Sequence, residues 1–174
     1  MKIELEWVGP IKLKPQKTAG YSFAEVADKL ERRPGVYVFA RKFGKNYYPI
    51  YIGKAQGIVG RLSTQFNNLA LMESVKHWNP VDPTDPALKM NGARVLFVGY
   101  LTKPKAVGQV ESALRVAERA LIEHALTEGH QIVNVQMTKT KYDEISSLGV
   151  KSSTAFAPRM MLVKAQKKTA KPKD

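Results

Sequence analysis

The chain has 174 residues and a mass of 19.4 kDa, enough to bury one core and cramped for two full domains. Its 44 % hydrophobic and 25 % charged residues exclude disordered and fibrous classes, and the absence of cysteine excludes disulfides, thiolate nucleophiles and Cys-ligated zinc or iron–sulfur clusters. Against that ordinary background, 28 Lys and Arg face 15 Asp and Glu, and the resulting +13 asks for a partner.

Residues 2–8, KIELEWV, alternate polar and apolar as a half-buried strand does, and Gly9-Pro10 punctuates them. A short helix is expected next, with Ser22 as N-cap, Glu25 as its capping-box partner and Phe23, Val26, Ala27 and Leu30 on one face, ending at Pro34-Gly35. Two β-rich runs, Val36–Arg41 and Tyr48–Ile52, flank a Phe-Gly-Lys-Asn connection and predict an antiparallel hairpin. Ile58, Leu62, Phe66 and Leu69 share one face of a helix over about 57–69. Residues 71–92 are a connection whose latter half, holding Pro80, Pro83 and Pro86, cannot be continuous helix. Ala93–Leu101 is apolar enough for a strand covered on both faces, and Gln109–Thr127 repeats apolar residues at helical spacing up to a stop at Gly129. Gln131–Met137 reads as a last extended segment, and the rest as irregular apart from a short apolar run at Met160–Val163.

The charge is unevenly spread. Lys164–Asp174 holds five lysines against one aspartate and reads as a solvated basic tail, yet +9 remains on residues 1–163. Lys29–Arg61 alone carries eight basic residues against Glu31. A folded body this basic favours a phosphate backbone, with charge alone silent on DNA against RNA. The N-terminal residues include Glu4 and Glu6 and lack an apolar signal-peptide region, and no stretch approaches the roughly 20 apolar residues of a membrane span. A cytoplasmic protein with no membrane partner is the expectation.

Chemistry concentrates on the hairpin and the two long helices. Gly35-Val36-Tyr37 and Tyr51-Ile52-Gly53 fall on the two strands with thirteen residues between the tyrosines, and Lys54 follows at once. Arg61 sits on the next helix with Gln65 one turn on, Glu118 precedes Leu121-Ile122, and Asn134 ends the following loop. On a helical wheel Glu118 falls at the rim of the apolar face formed by Leu114, Ala117 and Leu121, where a carboxylate can be partly buried and still reach a cleft, whereas Glu123 points away. His124 reads as a packed residue, His77 as a surface loop residue, and His130 with Glu128 lacks the third ligand of a metal site. P-loop, nucleophile-elbow and zincin motifs are absent.

Taken in order and at these spacings, the residues over 35–134 resemble the GIY-YIG nuclease family. The resemblance implies an α/β (α+β) fold, a small three-stranded antiparallel sheet flanked by helices, to which residues 1–34 add a strand and short helix and residues 135–163 a C-terminal extension. It implies a metal-dependent endonuclease cutting DNA, with one Mg²⁺ or Mn²⁺ held mainly by Glu118, and with Tyr37 and Tyr51 sharing water activation and phosphate contact in an order left open. Arg61 is the expected phosphate ligand and Lys54 either lowers the pKa of a tyrosine or contacts the same phosphate, with Arg41, Lys42 and Gln65 the further nucleic-acid contacts, and Asn134 the residue that orients the glutamate or closes the site. Members of the family often place His or Tyr where this chain has Gln65, which cannot titrate. That departure keeps open a nucleic-acid-binding module that does not cut. Specificity is left to the core, to the additions, or to a partner protein or second copy of the chain.

Overall fold

The hairpin is one side of a larger sheet. The computed structural model describes residues 2–16, 20–77, 92–102, 107–134, 144–149 and 160–161, and within them ten elements follow one another. They are β1 (Lys2–Lys12), α1 (Ala24–Ala27), β2 (Gly35–Phe43), β3 (Asn46–Ala55), α2 (Ile58–Phe66), α3 (Leu69–His77), β4 (Ala93–Leu101), α4 (Val107–Thr127), β5 (Glu144–Gly149) and β6 (Met160–Met161). The strand order is β3-β2-β4-β1-β5-β6. The first four are mutually antiparallel, β5 joins β1 in parallel, and β6 is antiparallel to β5.

The α+β class therefore stands, and the sheet, with six strands among the described residues, is larger than the expected three with one added by residues 1–34. The three-stranded unit β3-β2-β4 is present, but β4 is apolar on both faces and leaves its far edge needing a partner, which β1 supplies through six paired positions from Leu5↔Leu101 to Lys12↔Val95. Strand β1 does not stop at Gly9-Pro10 either. It passes through a bulge between Val8 and Ile11, where Gly9 adopts φ +130 and any Cβ would lie 2.8 Å from the Leu96 carbonyl oxygen.

Alternation along the strands separates two cores. Val36, Val38, Ala40, Ile52 and Phe97 face the apolar stripe of α4, together with Ile3, Leu5 and Trp7 of β1. Tyr37, Phe39, Ile50, Leu96, Val98 and Tyr100 face the opposite way, against Val26 of α1, Ile58, Leu62 and Phe66 of α2, and Met72 and Val75 of α3. Helix α4 thus covers one face of the sheet and α1, α2 and α3 the other.

Five local expectations change. The first helix starts after Phe23 with no side-chain cap, and Glu25 is held by Lys14 at 2.8 Å instead of completing a capping box with Ser22. The helix expected over 57–69 ends at Phe66, and a second begins at Leu69, its first turn capped by Asn68, whose Oδ1 accepts from the Leu71 N–H at 3.1 Å. His77 consequently ends a helix, where it meets Glu73 at 3.1 Å, and is not in a loop. Residues 144–149 form a strand where irregular chain was expected, while Gln131–Asn134 lie along the sheet edge without being a strand. The remainder of the expected 131–137 segment, Pro80–Pro86, the 164–174 tail and the last residues of the 160–163 run lie outside the described residues. Among the described residues, no helix is long and apolar enough to cross a membrane.

One buried cation holds α3 to the sheet. Arg94 on β4 donates from Nε to the Val75 carbonyl at 2.7 Å, from Nη2 to Lys76 at 2.8 Å and from Nη1 to Gly92 at 3.1 Å. Two of those acceptors are last-turn carbonyls of α3, which have no partner within the helix. Arg94→Met is expected to keep the side-chain volume, strand these carbonyls and lower stability by about 2–4 kcal/mol, read as a reduced urea midpoint at unchanged slope.

Candidate functional site

Tyr37 on β2 pairs across the hairpin with Gly53 on β3, and the site grows from that pair. The Tyr37 ring lies over the glycine, with Cζ and Oη both 2.5 Å from where a Cβ on residue 53 would sit, so only glycine lets the phenol lie there. Tyr51, two residues earlier on the same face of β3, stacks on Tyr37 with ring centroids 6.1 Å apart and planes 23° from parallel, and Phe39 meets Tyr37 edge-on at 6.0 Å. Tyr37 is fully buried and Tyr51 partly so. Burial pushes the Tyr37 phenol well above its ordinary pKa, and Tyr51 adds to that push, while the hydrogen-bonded Arg61 guanidinium opposes it.

Arg61 reaches the phenol from α2, the helix that packs over this face of the sheet. Gln65, one turn on, is 6 % exposed, and with its amide oxygen turned toward the guanidinium it accepts from Arg61 Nε at 3.1 Å and Nη2 at 3.2 Å. Gln65 therefore clamps the arginine through two parallel bonds.

Glu118 comes from the opposite side of the sheet, on α4. It is half-buried, and burial raises its carboxyl pKa; Lys54 and Arg61 pull it down and Glu111 pushes it up. Lys54 leaves β3 on the α4 side, one residue after Gly53. Its ammonium is held by Glu111 Oε1 at 2.7 Å, while Gln56 Nε2 reaches Glu111 Oε2 at 3.4 Å and Arg115 lies 3.7 Å away. These donors hold Glu111 below its ordinary pKa, with Lys54 the largest influence. Glu111 was not singled out from the sequence, although its place two turns before Glu118 puts both carboxylates on one flank of α4.

Tyr37, Tyr51, Lys54, Arg61, Gln65 and Glu118 thus gather around the Gly53 end of β3, the hairpin's outer strand, from both faces of the sheet. Asn134 works on the strand itself. Its Oδ1 accepts from the Ile52 N–H at 3.1 Å and its Nδ2 donates to the Ile52 carbonyl at 2.5 Å, while the Val133 N–H donates to Ile50 at 2.7 Å. Both ends of the amide are spent on pinning the Tyr51-Ile52-Gly53 backbone, so of the two expected roles, orienting Glu118 or closing the site, its bonds serve neither carboxylate oxygen of Glu118.

Arg41 and Lys42 lie apart, four and five residues beyond Tyr37 on β2, or about 13–17 Å along the strand. Arg41, expected as a nucleic-acid contact, is 9 % exposed, its guanidinium carbon 5.0 Å from the centre of the Tyr48 ring and 5.2 Å from that of Phe43, so it is a packed cation. Lys42 is exposed, over the Tyr47 ring at 5.9 Å.

Among the described residues no group of three or more His, Asp or Glu side chains could enclose a metal ion. The donor set nevertheless fits Mg²⁺ or Mn²⁺, because Mg²⁺ keeps most of its waters and is commonly held by one or two carboxylates together with substrate phosphate. Comparison with family models, with curated proteins and with solved structures returns no match for this chain.

Glu118 binds its proton more tightly in the folded chain than in the unfolded one. Its contribution to stability is full below its unfolded value near 4.5 and is lost as pH rises through the folded value, so at neutral pH the half-buried carboxylate destabilises the free protein. Glu118→Gln is expected to raise Tm at neutral pH and to change it little at about pH 4, where the wild-type carboxyl is largely protonated. Thermal melts of both proteins at the two pH values check this.

Proposed function

We propose that the protein is a metal-dependent endonuclease of the GIY-YIG type that hydrolyses phosphodiester bonds in DNA. The observation that carries the reading is the meeting of two stacked tyrosines, a clamped arginine and a half-buried carboxylate of raised pKa around one glycine of the edge strand. Hydrolysis needs an activated water, compensation of charge gathering on the phosphate, and help for the departing oxygen.

Arg61, its guanidinium held by Gln65, donates to the phosphate oxygens, and Lys54 adds a second positive charge from the other side of β3. Tyr37, buried and kept protonated, donates its phenolic hydrogen bond and orients; Tyr51, less buried and stacked on it, acts in its phenolate form, taking the proton of the attacking water and becoming the neutral phenol. Glu118 is the ligand for one divalent cation, which when bound supplies Lewis-acid stabilisation of the leaving oxygen. Asn134 and Gly53 keep the strand that carries Tyr51 in register. The basic excess of residues 29–61 draws a polyanion to the protein. DNA is taken ahead of RNA, in a cytoplasmic setting.

A second reading, binding without cutting, has one observation behind it. Gln65 spends its amide oxygen on Arg61 and cannot exchange a proton, so it offers the site neither an acid nor a base.

The test is a panel of duplex, single-stranded and branched DNAs, incubated with Mg²⁺ or Mn²⁺ and analysed by mapping the product ends. At least one is expected to be cut. Glu118→Ala is expected to abolish cutting, and Tyr51→Phe to lower kcat by roughly 10²–10⁴-fold. Salt-sensitive binding with no metal-dependent turnover on any substrate would favour the second reading, and cutting that persists in Glu118→Ala would remove that residue from the mechanism.

A further inference from the structure

We propose that the tip of the β2–β3 hairpin is a stacking shelf for one unpaired nucleobase, with Phe43 as the shelf and Lys45 of the adjoining turn as the contact for a flanking phosphate. The proposal rests on the nucleic-acid reading above and extends it to a second contact, six residues beyond Tyr37 on the same strand. That separation is about 20 Å along β2.

Phe43 is 53 % exposed, beside the two-residue turn Gly44-Lys45 that joins β2 to β3. A single exposed aromatic is unremarkable by itself. This one is anchored from beneath. Arg41, on the same face of β2, stands with its guanidinium carbon 5.2 Å from the Phe43 ring centre and 5.0 Å from that of Tyr48, and is itself buried. The ring therefore rests on a cation held inside the sheet, which limits its rotamer freedom before any ligand arrives and leaves less ordering entropy to lose on binding.

The surroundings favour a polyanion over an apolar protein surface. Lys45, in the adjoining turn, is exposed, as is Lys42, which lies on the opposite face of β2 over the Tyr47 ring, and no Asp or Glu occurs in the sequence between Glu31 and Glu73. An aromatic face beside a lysine is the arrangement that grips single-stranded nucleic acid, where the base stacks and the backbone is held by charge. In a paired duplex the bases are already stacked on one another, so the occupant is an unpaired base in a single strand, flap or bubble.

The test is a fluorescence titration with the full chain, metal withheld so that no cutting intervenes. The probes are a single-stranded DNA carrying 2-aminopurine and a fully paired duplex of the same sequence. Phe43→Ala is expected to weaken single-strand binding roughly tenfold or more, to remove stacking-dependent quenching of the probe, and to change duplex binding by less than about threefold. Phe43→Trp is expected to retain both affinity and quenching, and Phe43→Leu, which keeps apolar bulk without a π face, to lose them. Unchanged single-strand affinity in Phe43→Ala, or equal weakening on both probes, overturns the shelf. Wild-type protein that binds neither probe overturns the nucleic-acid reading itself.

Discussion

Tyr37 can lie beneath the hairpin's outer strand because its cross-strand neighbour is Gly53, and most of the site depends on that one steric allowance. A methyl group at 53 would sit 2.5 Å from the phenol's Cζ and Oη, forcing a fully buried ring out of a core that already holds Phe39, Leu62 and Phe66. With the glycine in place the hydroxyl comes to the strand's edge, Tyr51 stacks on the ring, and α2 brings Arg61 within hydrogen-bonding reach. The Asn134 amide then imitates a neighbouring strand at Ile52, fixing the backbone between Tyr51 and Gly53. Fold and site rest on the same contacts.

The charges are arranged at some cost to stability. Glu118 is kept half-buried although burial opposes its ionisation, and the cations that would relieve it are partly committed elsewhere, Lys54 to Glu111 and Arg61 to Gln65. A carboxylate under-compensated in the free protein favours the arrival of a cation, and two fixed positive groups favour a phosphate. A site of this kind trades folding free energy for readiness to bind.

Legibility in the sequence followed the range of the interactions. The hairpin, the α4 helix and the central β4 strand were readable because their apolar periodicity or turn residues lie within a few positions. The place of Glu118 at the rim of α4 was readable from the helical wheel. Strand β5 was not, since residues 144–149 become a strand only by pairing with β1, a partner some 140 positions away. Gln65 looked like a catalytic loss, and its bonds to Arg61 depend on side-chain orientation that spacing does not encode. Asn134 was found, but its partner proved to be the Ile52 backbone. Arg41 reads as a nucleic-acid contact because its charge is visible in the sequence and its burial between Tyr48 and Phe43 is not. Glu111 carried a usable signal, its seven-residue spacing from Glu118, that went unweighed.

The central claim is that groups from both faces of the sheet serve one cation-and-phosphate site around Gly53. It is tested most directly by NMR of the protein bound to an uncleavable DNA, with Mn²⁺ as a paramagnetic probe. Selective broadening of resonances from Tyr51 and Gly53 on β3 together with those around Glu118 on α4, lost in Glu118→Gln, is the expected result. Broadening confined to one face of the sheet, or spread over surface carboxylates such as Glu25 and Glu128, would contradict it.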